Sequence, residues 1–136
     1  MRSTEASRLT LAQAARRLET ARRETRAGSP AYATRSAQEC AELSLKAALR
    51  FVGVEYPKKH DVSPALLAVK ERFPRWFKVE RLARAGTWLA ERREPAMYGD
   101  EAEGTTPDEL FTREEAQTAL GHAEGIYRSC RRLISG

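Results

Sequence analysis

Long apolar runs are missing from this sequence, and so are most of the residue patterns from which metal and redox sites are built. No stretch reaches eighteen apolar residues, which leaves no membrane-spanning helix to expect. The opening residues, MRSTEASRLTLAQAARR, lack the apolar core of a secretory signal, so the cytoplasm is the expected compartment. Only two cysteines and two histidines occur. Cys40 and Cys130 fall on apolar helical stripes, with no CxxC pair and no histidine cluster, and read as buried thiols in a reducing compartment. No metal and no cofactor is expected. HExxH, Walker and GxGxxG patterns are absent, and no serine or cysteine has a histidine partner in sequence, so hydrolysis by a triad or a bound metal has little support. Alternating β-branched runs are also lacking, which argues against a sheet. There is no internal repeat and no low-complexity segment.

What is present is helix-forming and basic. The 136 residues suit a single domain, residues 1–136, a size that buries about 65–70% of the surface its unfolded chain exposes. Alanine, arginine, leucine and glutamate dominate, and all favour helix. The formal charge is +5 and the pI about 9.6, carried mainly by arginine. Arginine's planar fork of donors suits phosphate. That permits nucleotide or nucleic-acid contact without establishing it, because net charge speaks to non-specific attraction more than to function.

The chain is organised around the stretch from Tyr32 to Asp61, YATRSAQECAELSLKAALRFVGVEYPKKHD. Ala33, Ala37, Cys40, Ser44, Ala47 and Phe51 recur at three- and four-residue steps. Ala41, Leu45, Ala48 and Val52 form a second row beside them, and on a helix the two rows make one broad apolar face. Its small side chains let neighbouring helices come close, which predicts a helix at the centre of a bundle. Glu39, Glu42, Lys46 and Arg50 fall on the other side, and Glu42 to Lys46 is a favourable i,i+4 pair. Gly53 is the expected stop.

A first helix is predicted from about Thr4 to Arg26, with Leu11, Ala15 and Leu18 inward. Its arginines, Arg16, Arg17, Arg22, Arg23 and Arg26, read either as a solvated exterior or as a phosphate-facing surface. AGSP, ending at Pro30, breaks that helix. After the central helix, Ser63 and Pro64 make a capped start to a short helix, with Leu66, Leu67 and Val69 buried and an end near Phe73 and Pro74. Another helix is predicted from Pro74 or Arg75 to Pro95, with Val79, Leu82, Ala83, Gly86, Leu89 and Ala90 facing the core. Trp76, Phe77 and Trp88 read as packing groups rather than base-stacking ones. PAMYGDEAEGTTPDE is expected to be a long loop. The last helix opens with a Thr112–Glu115 capping box, and Phe111 is placed to staple onto Ala116. Its predicted buried stripe is Ala116, Ala119, Leu120, Ala123, Tyr127, Cys130 and Leu133 or Ile134. The expected fold is therefore all-α, a four- to five-helix up-and-down antiparallel bundle.

Candidate chemistry falls at the two histidines and at one arginine-bearing corner. His60 lies in PKKHD beside Lys58 and Lys59; His122 sits in mid-helix. Arg92, Arg93, Tyr98 and Asp100 fall where a helix meets a loop. That corner reads equally as a phosphate- or nucleotide-contacting site and as a helix C-terminus whose arginines offset the dipole.

With those residues in place, the chain resembles the HEPN family, small helical domains named for higher eukaryotes and prokaryotes nucleotide-binding. The resemblance rests on Tyr32, Ala33, the run AQECAELSLKAAL from Ala37 to Leu49, Gly53, Pro57, His60-Asp61 and Leu66-Leu67. Arg93, Tyr98-Gly99-Asp100 and FTREEAQTAL extend it over roughly Ser7 to Leu133. It implies a homodimer, association with nucleotide or RNA, and work beside a separately encoded minimal nucleotidyltransferase, often as a toxin–antitoxin pair. Nucleotide or RNA contact is expected from Arg92, Arg93, Tyr98, Asp100, Lys58 and Lys59. Active family members are metal-independent endoribonucleases carrying an arginine followed four to six residues later by a histidine, paired across the dimer. Histidine suits removal of the 2′-hydroxyl proton and arginine suits the phosphate charge. Here the motif is a degenerate Arg-x4-Tyr, with Arg93 present and Tyr98 where histidine is expected. A tyrosine, with a pKa of about 10, is a poor base at neutral pH. The expectation is accordingly a non-catalytic member. The alternative is an endoribonuclease using Arg93, Tyr98 and His60 across a dimer cleft. In some members a tyrosine near this motif receives AMP from the partner transferase, and Tyr98 is the position that corresponds.

Overall fold

The structure, a computed structural model, describes residues 3–135. Seven α-helices span them: α1 (Ser3–Ala27), α2 (Pro30–Phe51), α3 (Ser63–Ala68), α4 (Val79–Ala90), α5 (Arg93–Tyr98), α6 (Pro107–Leu110) and α7 (Arg113–Ser135). A single 3-10 turn, Lys70–Arg72, follows α3. Among the described residues the only sheet-like pairing is an isolated antiparallel bridge between Asp100 and Thr105. The all-α bundle read from the sequence is the fold observed, with α1, α2, α4 and α7 as its long members.

α2 is the centre. It packs against α1, α7, α4, α5 and α6. Ala33, Ala37, Cys40, Ser44 and Ala47 are buried to within 1% exposure, and Ala41, Leu45, Ala48 and Leu49 are buried beside them. Small side chains allow this close surround, and Leu45 and Leu49 supply bulk where space remains. Such a leucine contributes about 2–5 kcal/mol against truncation to alanine. The row ends short of its predicted limit, because Phe51 and Val52 are only half-buried. Gly53, at φ 81, takes the left-handed conformation that ends α2.

The supposed outer side of α2 is not a solvated face. Glu39 and Glu42 retain 22% and 12% side-chain exposure because arginines, a lysine and a histidine close over them.

Several local expectations are corrected. Ser63 is not the cap of α3 but its first residue; Val62 holds the cap position. Asp61 does the capping work, accepting the Ser63 amide at 3.0 Å, and its other oxygen accepts Thr87 Oγ1 at 3.0 Å. Ser63 Oγ instead donates to the Ala83 carbonyl at 2.9 Å, which ties α3 to α4. Leu67, predicted buried, is 43% exposed. α4 begins at Val79 rather than Pro74, since Phe73 is extended ahead of the proline. The intervening residues fold into a turn in which Phe73 and Phe77 stack at 4.7 Å. Pro95 does not end a helix. It sits in the first turn of α5, where a missing amide proton costs nothing. The expected long loop is built: α5, a hairpin closed by reciprocal Asp100–Thr105 backbone bonds at 2.9 Å, then α6 under its own Thr106–Glu109 capping box.

α7 carries the predicted Thr112–Glu115 box, with bonds of 3.3 and 3.1 Å. Its fully buried residues are Ala116, Ala119, Ala123, Ile126, Cys130 and Ile134, whereas Leu120, Tyr127 and Leu133 are half-buried. Phe111 is buried in a small satellite core with Ala31 and Ala96, anchoring α6 and α5 to the start of α2. Asp108 adds a bond from the Ala31 amide at 3.4 Å.

Candidate functional site

The polar side of α2 carries two short rows at helical spacing. Arg35 and Glu39 form one; Gln38, Glu42 and Lys46 form the other. Glu39 is ringed by arginines from three elements: Arg17 of α1 at 3.3 Å, Arg35 at 3.5 Å and Arg93 of α5 at 3.4 Å. Arg35 Nε approaches close enough for attraction but without the alignment of a hydrogen bond.

Gln38 joins the two rows. It is 1% exposed, its Oε1 accepts Arg93 Nη1 at 2.7 Å, and its Nε2 donates to Glu42 Oε1 at 2.9 Å. The same Glu42 oxygen lies 2.9 Å from His60 Nδ1, while Lys46 Nζ donates to Glu42 Oε2 at 2.7 Å. A continuous polar chain therefore runs His60–Glu42–Gln38–Arg93–Glu39 along α2. Burial pushes the Glu42 carboxyl up, but hydrogen bonds from Lys46, Gln38 and His60 outweigh it and hold Glu42 below the usual carboxylate range. An ionised carboxylate only accepts, so His60 Nδ1 carries a hydrogen toward Glu42. The His60 side chain is 59% exposed, and Nε2 is its only remaining nitrogen.

The predicted Arg92–Asp100 corner separates into three directions. Arg93 turns into α2. Arg92 turns to the α4–α7 side, its guanidinium 3.6 Å from the Trp88 ring centre, with Nη1 donating to the Trp88 carbonyl at 2.8 Å. Tyr98 is 59% exposed and shares a shallow hollow with Glu94, Asp100 and Glu101, three acids that repel phosphate. Asp100 caps its own turn by accepting the Glu103 amide at 3.1 Å. Lys58 and Lys59 are exposed beside His60 and make no hydrogen bond or ion pair among the described residues.

His60 and Arg93 thus share one network without touching, and Tyr98 stands apart from both. Gln38, the residue that links them, was not anticipated. Its i,i+4 spacing to Glu42 was the available signal. No group of three or more histidine, cysteine or acidic side chains suited to a metal occurs among the described residues. Both thiols are inert: burial drives Cys40 to about 12 and raises Cys130 as well.

An alanine-lined central helix, wrapped by three long helices and overlaid by a short arginine-bearing helix, defines a class of small α-helical bundle domains. The sequence pattern of the HEPN domain matches residues 7–133, and the chain belongs to that family. Its fold is similar to the crystal structure of TT1696 from Thermus thermophilus, at 29% identity and a TM-score of 0.76, covering 93% of this chain and 97% of that one. It is also similar to ST0689, described as an archaeal HEPN homologue, at 25% identity and a TM-score of 0.72, covering 98% of each chain. No curated protein matches it. No helix among the described residues is long and apolar enough to cross a membrane.

Proposed function

We propose that this HEPN domain is non-catalytic, binds nucleotide or RNA as a homodimer, and partners a separately encoded minimal nucleotidyltransferase in a toxin–antitoxin pair. The observation that carries the non-catalytic part is the placement of Arg93. Its guanidinium is spent on Gln38 and Glu39, and no imidazole lies within hydrogen-bonding distance of it among the described residues. Tyr98, at the motif position where a base belongs, faces solvent among acids. The HEPN resemblance supports the partner and the dimer. Affinity purification from the source cell is the test. Recovery of a nucleotidyltransferase with the tagged chain is expected; recovery of the free homodimer alone overturns the partnership.

A second reading has one specific observation behind it. His60, oriented by Glu42 through Nδ1, presents Nε2 as a base, and Gln38 connects that pair to Arg93. An endoribonuclease would use His60 to remove the ribose proton and Arg93, released from Gln38, to hold the phosphate. RNA incubated in EDTA with wild type, His60→Gln and Arg93→Ala separates the readings. Cleavage lost in both variants establishes the nuclease, and no cleavage by wild type removes it.

A further inference from the structure

Several cations on this surface pair with carboxylates; those of one groove do not. Arg22 meets Glu124, Arg17 meets Glu39, Arg92 meets Glu115, Lys46 meets Glu42 and Lys70 meets Glu80. Between α4 and α7, however, a cavity of about 490 Å³ is lined by Lys78, Arg81, Arg84 and Arg128 and by no acidic side chain. None of these four cations makes an ion pair or hydrogen bond among the described residues. Glu80, the one acid of α4, bonds Lys70 at 3.1 Å and also attracts Arg84, which with Trp88 borders a second hollow holding Glu80 and Glu91.

The floor of the groove is held open by glycine. Gly121 and Gly125 stand one turn apart on α7, and a Cβ built at either meets nothing within 4 Å. Glycine weakens a helix interior, and neither position needs it for backbone conformation or for a close neighbour. What the two glycines leave is room. At one end the wall is aromatic: Trp88 and His122 meet edge to face at 5.0 Å. Burial, and then Arg92, hold His122 below its ordinary value, so His122 adds no charge at neutral pH, and the charge at this wall is that of Arg92 over the Trp88 ring. At the other end stand Lys78 and Arg128. Trp88 stands ten positions after Lys78, the cap residue of α4, a span of about 15 Å at helical rise.

The geometry points to this groove as a binding site for an organic polyphosphate of mononucleotide size, with phosphates on Lys78, Arg81, Arg84 and Arg128 and a planar ring toward Trp88 and His122. This inference deepens the nucleotide half of the proposed function and rests on it. Four clustered cations, of which Arg84 alone attracts a carboxylate on its own helix, suit a compact polyanion, and the volume falls within the roughly 300–1,000 Å³ of small-ligand sites. A bound RNA strand calls for a positive track that continues. Here the neighbouring α1–α7 groove shares Arg128 but adds Glu19 and Glu124, so the acid-free lining ends there.

Isothermal calorimetry in EDTA with ATP, inorganic tripolyphosphate and adenosine tests the site. ATP and tripolyphosphate should bind, and ATP more tightly if the aromatic wall holds the ring; adenosine should bind about a hundredfold more weakly than ATP. Arg81→Ala and Arg84→Ala should each weaken ATP about tenfold, the loss of one charge-assisted bond. Gly125→Leu should abolish binding without lowering Tm, which separates a filled site from a damaged fold. ATP affinity unchanged in all three variants overturns the groove while leaving nucleotide binding intact elsewhere. No ATP binding by wild type overturns both. Variants that alter only RNA-oligonucleotide binding, or only the dimer on size exclusion, reassign the groove to RNA or to a second copy and overturn the proposal.

Discussion

Removing Arg93 distinguishes a structural arginine from a free one. In the folded chain its Nη1 gives the 2.7 Å bond to Gln38 Oε1, and Gln38 is 1% exposed. Arg93→Ala therefore leaves a buried amide oxygen without its donor, which costs about 1–3 kcal/mol. The 3.4 Å pairing with Glu39 adds little, because Arg17 and Arg35 remain on that carboxylate and partly exposed ion pairs contribute about 0–1 kcal/mol. The expected loss is about 2 kcal/mol. For a domain of this length such a loss lowers Tm by about 6–10 °C. Urea unfolding of wild type, Arg93→Ala, Gln38→Ala and the double variant supplies the cycle. A coupling of about 1–2 kcal/mol is expected between the two positions. Arg93→Ala within about 0.5 kcal/mol of wild type, or strictly additive losses, refutes the argument that Arg93 is consumed by α2. The result also governs the RNA assay, since Arg93→Ala must be compared with wild type below the variant's own Tm.

Three further outcomes follow from other parts of the molecule. Glu42 ionises below the usual 4.5 when folded, so the stability it supplies is present above that pH and lost as pH falls through its folded value; Glu42→Gln should flatten this acid-side decline in urea midpoints, and an unchanged slope would contradict the shift. Gly99 sits at φ 70 and ψ −152, and a Cβ there runs into the Thr105 carbonyl oxygen; Gly99→Ala should cost at least about 2 kcal/mol and selectively deprotect the Asp100 and Thr105 amides in hydrogen exchange. Cys40 and Cys130 are wholly buried with raised thiol values, so a thiol-reactive disulfide reagent should label neither until denaturant is added; prompt labelling would show the core to be open.

The long helices were legible because their signals are local. The alanine and leucine spacing of α2 and α7 repeats over about five turns, and the Thr112–Glu115 box announces where α7 starts. The row read in α1 was shorter, and its fully buried alanine is Ala14 rather than the expected Ala15. The Phe73–Phe77 turn was not legible, because ring stacking and the extended residue before Pro74 override a stretch whose spacing also suits helix. The hairpin and α6 escaped notice for a related reason: Gly99 and the Thr106 cap are short signals inside an acidic run that reads as loop. The polar chain on α2 depends on partners far apart in sequence. Glu42 and Lys46 were paired correctly from spacing, but nothing local brings His60 or Arg93 onto the same helix. The α4–α7 groove is likewise a property of two helices together. Its glycines and arginines look ordinary on either one alone.

The central position of α2 has a consequence for biosynthesis. A ribosome delivers α1 and α2 well before α7, and α7 covers much of α2. The first hairpin can close as soon as it leaves the exit tunnel, joined by the two residues Gly28 and Ser29. Until α7 emerges, however, the flank of α2 destined for α7 stays uncovered, and such half-finished surfaces attract chaperones and one another. A nascent chain stalled before Arg113 is thus the stage at which this otherwise compact bundle is most vulnerable to aggregation.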